Sequence, residues 1–345
     1  MGIPVRIRYA RIKKLTALSL IVLTASSLHA VQVNPTRDSS GDSKKSGSQQ
    51  WAELKRLVYD SISPDEEKGF QRLGEPKRGE WLARVNENPQ TLIDYRESSP
   101  VRPSAERGMI VLQPLGSMDE RQQDALRIMK EYAEAFFQLP ARIERPLPLS
   151  VPDKKIDLVR IGPHDRHGSC TVQYEADKIV NNILIEHVPD DAVLYLGITA
   201  SDLWADDGGV FGWANLQRRA GVLSFYRLFP KFFDQKRSPE ETLLFLRRLC
   251  RVLSHESGHM FGLTHCVFYH CAMNGCNGLA EADSAPLHFC PVCEQKLFWN
   301  IRYDPLKRCE ALHAFYSQHG MEEEEKLMSQ QMQRFHEPAG SRRSQ

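Results

Sequence analysis

The chain has 345 residues, of which 41% are hydrophobic, 9% aromatic and 26% charged, ordinary globular usage that excludes collagen-like, coiled-coil and wholly disordered classes. Forty-five Lys and Arg against 44 Asp and Glu leave a formal net charge of +1, so no global field draws the chain to nucleic acid or acidic membranes, and no nucleic-acid partner is predicted. The eight cysteines are unevenly spread, five of them between Cys266 and Cys293, which points to a metal site or a disulfide framework.

The first acidic residue is Asp38. Arg6, Arg8, Arg11, Lys13 and Lys14 precede the apolar run Leu15 to Leu28, with small residues at Ala25, Ser27 and Ala30, which is the order of a secretory signal peptide over residues 1–30. The run is too short to span about 30 Å of hydrocarbon, so no stable membrane span is predicted. This start favours the secretory pathway or the extracellular space; the alternative is an acid-poor organelle presequence or the first helical turn of a cytoplasmic protein. Residues 31–104 read as a linker followed by a poorly defined N-terminal region. Asn34 to Gln50 is nearly devoid of apolar residues, and the helical pattern of Trp51, Leu54, Leu57 and Val58 gives way to Pro- and charge-rich text.

From about residue 105 the signals strengthen. MIVLQPL, starting at Met109, predicts a buried strand, and Ala125, Leu126, Met129, Tyr132, Ala133 and Phe136 repeat at helical spacing. KIDLVRIG, NNILIEHV and VLYLGIT then alternate with turn residues and a short helical stretch, and GVFGWANL and GVLSFYRL follow as two strand-like runs joined through QRRAG. Ser238-Pro239-Glu240-Glu241 is a helix start with an N-cap serine, an early proline and a capping-box glutamate, and the helix should run to Gly262. An α+β fold with a mixed twisted sheet over 105–320 is predicted. The stretch 321–345, with EEEE at 322–325, reads as a solvated acidic and polar tail.

The chemistry starts on the last turns of that helix. His255 and His259 stand one turn apart on one face, the separation that grips a small tetrahedral cation, and Glu256 beside the first is placed to act as general base. Gly262 lets the chain turn, and His265 brings a third nitrogen, leaving a fourth position open as in catalytic rather than structural zinc. HExxH alone occurs by chance in roughly three of a hundred chains of this length, and requiring Gly262 and His265 lowers that to the order of one in ten thousand. Cys266 with Cys271, and Cys290 with Cys293, form two chelating pairs suited to a structural zinc; two disulfides are the competing reading, and His270 or His288 is a substitute for one ligand. Cys276 has no partner at chelating spacing, and Cys170, Cys250 and Cys309 read as core or surface thiols.

HESGHMFGLTHC, read as HExxHxxGxxHC, resembles the metzincin metalloproteases, and its continuation CVFYHCAMNGCNGLAEADSAPLHFCPVCEQKL resembles the archaemetzincins within that clan. The likeness is dense from His255 to Leu297 and weaker over about 105–320. It implies a metzincin-like zinc-protease domain with an active-site helix and a four-cysteine zinc loop. It further implies two zinc ions: a catalytic one on His255, His259 and His265 with Glu256 polarising water, and a structural one on Cys266, Cys271, Cys290 and Cys293. Met273 is implied as the Met-turn methionine. Glu281 and Asp283 look like an acidic pair of this loop with no derivable role. The signal-like start departs from the family, whose members are soluble and intracellular. A peptide or protein substrate is predicted, and Phe211, Gly212 and Trp213, in the run Val210 to Ala214, are the candidate sheet edge for an extended peptide, on family analogy. The rival readings are a zinc-stabilised binding module with a vestigial site, and hydrolysis of a non-peptide amide. Oligomeric state is not legible.

Overall fold

The computed structural model describes residues 47–150, 158–162, 172–205, 208–215, 218–228 and 238–336. The signal-like segment 1–30 and Cys170 lie outside them. Among the described residues, three α-helices and a 3-10 turn at Trp81–Ala83 precede the first strand: α1 (Gly47–Asp60), α2 (Pro64–Glu67) and α3 (Leu92–Glu97). The short α2 and α3 both start on capping boxes, Ser63 with Glu66 and Thr91 with Asp94, which satisfy amide donors that a helix start leaves without partners.

The mixed α+β body follows: β1 (Met109–Leu115), α4 (Glu120–Phe137), β2 (Ala141–Ile143), β3 (Val159–Ile161), β4 (Val172–Glu175), α5 (Ala176–Ile179), β5 (Ala192–Thr199), β6 (Asp202–Ala205), β7 (Gly208–Val210), β8 (Gly212–Asn215) and β9 (Ala220–Ser224). Five strands form one sheet in the order β2-β1-β5-β9-β8, parallel except for β8, which pairs antiparallel with β9 at one edge. The other four form a smaller sheet, β3-β4-β6-β7. Alternation puts Ile110 and Leu112 of β1 on the larger core and Val111 and Leu115 on the opposite one, so the central strands are covered on both faces, as parallel strands require.

Helix α6 (Pro239–Met260) crosses the larger core against β8, β9 and α4, and it begins as predicted, with Ser238 and Glu241 closing a capping box. Gly262 has φ +91°, a conformation that favours glycine, and turns the chain sharply after the helix. The remaining elements are α7 (Leu279–Ser284), α8 (Pro291–Ile301), α9 (Pro305–Gln318) and α10 (Glu322–His336). No helix among the described residues is long and apolar enough to cross a membrane.

Four expectations need correction. NNILIEHV is helical, a π turn over Val180–Leu184 and a 3-10 turn over Ile185–His187, because Val180, Ile183 and Leu184 bury at i, i+3 and i+4 rather than alternating. GVFGWANL is two strands: β7 pairs with β6 and β8 with β9, the chain changing sheets at Phe211. The predicted solvated tail contains α10, which packs on α9 with Met321 and Met328 buried and Glu324 paired to Arg247 at 2.6 Å, so its four consecutive glutamates hide one charge that has a partner. Residues 59–104, predicted as poorly defined, lace onto the metal loop: Tyr59 donates to the Phe268 carbonyl (2.6 Å), Tyr95 to the Phe261 carbonyl (2.7 Å), and Gln90 both donates to the Gly262 carbonyl (3.0 Å) and accepts from the Thr264 amide (3.2 Å). These partners are long-range, so local text held no sign of them.

Candidate metal centre and active site

Helical geometry and the Gly262 turn bring the three predicted histidines together, all buried, with one nitrogen from each lying within 4.8 Å of the others. Each Nδ1 faces away from the cluster toward an acceptor: His255 toward the Ala272 carbonyl (2.8 Å), His259 toward the Leu263 carbonyl (2.7 Å), and His265 toward Glu87 Oε1 (2.7 Å). Carbonyls only accept, so Nδ1 carries the proton on His255 and His259 and Nε2 presents a lone pair. Burial drives the His255 and His259 pKa values down, His259 to about 3 with help from His265, so both rings are neutral at pH 7. The Nε2 atoms of His255 and His259 then face each other at 3.0 Å as two acceptors, and His265 Nε2 is buried with no hydrogen-bond partner. That arrangement repels itself unless a cation lies between the rings, and tetrahedral Zn–N bonds of 2.0–2.1 Å place nitrogens about 3.3 Å apart. The donor set fits zinc.

Glu256 is 5% exposed, and burial pushes its carboxyl up to about 8, with Arg251 pulling the other way. A Cβ on Gly212 would come within 2.8 Å of the Glu256 carboxyl carbon, so only glycine lets β8 lie this close to it. The Ser224 amide donates to the Phe211 carbonyl at 2.9 Å; antiparallel alternation therefore turns Trp213 and Asn215 toward β9 and leaves the main-chain groups of Gly212 and Ala214 on the open side. Met273, fully buried, lies under the helix at Gly258, where a Cβ would come within 2.5 Å of its sulfur. The predicted Met-turn residue is thus beneath the segment carrying the ligands, in space that glycine leaves.

The second cluster is Cys266, Cys271, Cys290 and Cys293, all buried, with sulfurs within 4.8 Å of one another. Cys266 and Cys290 sulfurs are 3.6 Å apart, far beyond a disulfide bond and close to the roughly 3.8 Å expected between thiolates on one tetrahedral zinc. Burial pushes the Cys290 thiol well up, and although burial acts the same way on Cys266, hydrogen bonds from the other three thiols hold it well down. Thiols bind a dication as thiolates, so ionisation of the cluster and binding of a metal go together. His270 and His288 are not part of the group. Asn274 shapes the loop, accepting from the Cys271 amide (2.8 Å) and donating to the Cys266 and Tyr269 carbonyls (2.8 and 3.0 Å). Cys250, Cys276 and Cys309 are buried single thiols.

Several site residues have no signal in the sequence. Glu87 holds His265 and also accepts from Trp81 Nε1 at 2.8 Å on the same oxygen, while the Trp81 ring meets the His265 ring edge-on, centroids 5.4 Å apart. Glu281, left without a role, accepts from the Trp81 and Asn277 amides, both at 2.7 Å, and so pins the N-terminal segment to the metal loop. Asp283 instead pairs with Arg248.

The model of Peptidase family M54 matches residues 154–298. Archaemetzincin-2 from Homo sapiens is 31% identical over 263 residues, covering 68% of this chain and 71% of the relative. Archaemetzincin from Thermococcus kodakarensis is 36% identical over 111 residues, 32% of this chain and 58% of that protein. The crystal structure of archaemetzincin from Methanopyrus kandleri aligns with a TM-score of 0.44 and 23% identity over 58% of this chain and 99% of that one. The extent of the likeness to human archaemetzincin-2 places the chain in the archaemetzincins, peptidase family M54, and makes it a zinc metallopeptidase.

Proposed function

We propose that this peptidase hydrolyses peptide bonds with Glu256 as general base and carries two zinc ions, one on His255, His259 and His265 and one on Cys266, Cys271, Cys290 and Cys293. The observation that carries the reading is the convergence of three buried imidazoles, two with their lone pairs facing, beside a buried carboxylate that lies against an open strand edge. Zinc in the histidine site supplies Lewis-acid polarisation of the scissile carbonyl and activation of water. Glu256 accepts the proton of the attacking water and returns it to the leaving amine, a role that needs the ionised carboxylate, which burial disfavours and the nearby charge of Arg251 favours. Gly212 and Ala214 of β8 supply main-chain donors and acceptors that orient an extended substrate beside Glu256, with Phe211 and Trp213 as its flanking side chains. Met273 supports the ligand helix from below. Cys266, Cys271, Cys290 and Cys293 would hold the second ion beside the loop that supplies the Ala272 carbonyl to His255.

The test is a peptide-library screen of wild type and Glu256→Ala together with elemental analysis. Two zincs per chain in both proteins, with cleavage lost in the variant, is the expected result. Wild-type cleavage by Glu256→Ala removes the assigned base, and one zinc per chain removes the second metal. Sequencing the amino terminus of the mature protein tests the secretory reading of residues 1–30.

A further inference from the structure

A cleft of about 420 Å³, counted with its open mouth, lies between the start of β8, the middle of α6 and the segment that includes α7. Three arginines of α6 line it, and their charges are met differently. Arg248 makes a two-pronged pair with Asp283 (2.8 and 2.6 Å), and Arg247 pairs with Glu324 (2.6 Å). Arg251 has no carboxylate at ion-pair distance among the described residues, though its charge acts on Glu256 and its side chain lies against the Cys276 thiol. Its Nη2 donates to the Asn274 carbonyl at 3.2 Å, its Nε is buried without a partner, and the residue is only 5% exposed. A guanidinium withdrawn from water with donors unmet is unfavourable until an anion reaches it.

Its position ties it to the reaction. Arg251 precedes His255 by four residues, about one helical turn, on the same face of α6, about 6 Å along the axis. Phe211, on the same cleft wall, is the neighbour of Gly212, which touches Glu256. The remaining walls are largely apolar, with Leu228, Val252 and Leu287 among them. A methylene stem ending in a carboxylate matches this lining: the stem lies along the apolar walls and the head meets Arg251.

We propose that Arg251 is a specificity-determining residue that binds a carboxylate of the substrate peptide close to the scissile bond, a glutamyl side chain being the best fit. The proposal deepens the peptidase reading above and rests on it for the substrate's placement. A free chain-terminal carboxylate offers the same chemistry, so the test separates the two sources.

The experiment uses one set of amidated peptides carrying Glu or Gln at each position around the cleaved bond, and a second, neutral set ending in a free carboxylate or an amide. Binding is measured by fluorescence anisotropy on zinc-loaded Glu256→Ala, which holds substrate uncut, and kcat/KM is measured on the wild type. The expected result is a preference for Glu over Gln at one position of about tenfold or more, falling below twofold when Arg251→Gln is added and persisting in part with Arg251→Lys. Acid-over-amide preference in the second set, with the same dependence on Arg251, assigns the chain terminus as the carboxylate source. Equal binding within both sets overturns the proposal, as does a preference that survives Arg251→Gln. Zinc content checks the fold of the variants; if Arg251→Gln fails to fold, the wild-type preference and its reduction in Arg251→Lys decide the matter. A binding preference without cleavage of any peptide by the wild type would sink the peptidase reading while leaving the carboxylate site standing.

Discussion

Removing the carboxylate of Glu87 should weaken the catalytic metal site from outside its ligand set. His265 Nδ1 has Glu87 as its acceptor, and the same oxygen takes Trp81 Nε1. Burial alone would push the Glu87 carboxyl up, but the hydrogen bonds it accepts from His265 and Trp81 hold it below the usual carboxylate range, so it is ionised at neutral pH. Losing such an outer partner lowers metal affinity by about 10- to 100-fold, or about 1.4–2.7 kcal/mol. Glu87→Ala removes the charge and also leaves two buried donors unmet, so it should fall at the larger end. Glu87→Gln keeps an oxygen for both donors and loses only the charge, and should fall near tenfold. The assay is the zinc concentration that restores half of the peptidase activity to metal-stripped protein, set with a zinc-buffering chelator. A midpoint for folded Glu87→Ala within twofold of wild type would refute the assignment of Glu87 as the residue that holds the third ligand.

The two proposed metal sites should differ in lability: a chelator should remove zinc held by the histidines before zinc held by four buried thiolates, and activity should vanish while one zinc per chain remains, as elemental analysis against residual activity would reveal. The thiolate site should weaken on acidification, because its ligands bind metal only when deprotonated and burial already favours the protonated Cys290 thiol, whereas His255 and His259, with pKa values driven down, stay neutral over the same range; zinc retained after dialysis should fall from pH 8 to pH 5, and retention that rises instead would contradict the ligand set. Gly258→Ala gains about 1 kcal/mol of helix propensity but drives a Cβ to within 2.5 Å of the Met273 sulfur, and overpacking of about 1–3 kcal/mol should win, lowering Tm. Adding Met273→Ala should make the glycine substitution harmless or favourable, and additivity in that double-mutant cycle would show that the two residues do not press on each other. Tyr95→Phe should destabilise by about 1–3 kcal/mol in denaturant unfolding, since the hydroxyl donates to the carbonyl of Phe261 at the end of α6 and accepts from Asn300 at 2.6 Å in a buried site.

What the sequence alone determines here is local. His255 and His259 are brought together by one turn of helix, Ser238 and Glu241 set where that helix begins, and Gly262 sets where it turns toward His265; periodicity and capping act over a few residues and are readable as text. The cysteine pairs are legible for the same reason, their short spacings being chelate geometry. Alternation failed at NNILIEHV because a short apolar run suits a helix as well as a strand, and only burial against the sheet decides between them. Tertiary structure alone decided the rest. Glu87 reaches His265 across 178 positions, Trp81 and Gln90 close over the loop from a segment that reads as poorly defined, and the EEEE run buries one glutamate against Arg247. The same holds for Arg251. Its neighbours Arg247 and Arg248 look identical in the sequence, and it is the fold that brings Glu324 and Asp283 to those two and leaves the third beside the cleft with a carbonyl as its acceptor. Ion pairs between distant segments depend on where the chain returns, which no local pattern of residue types encodes.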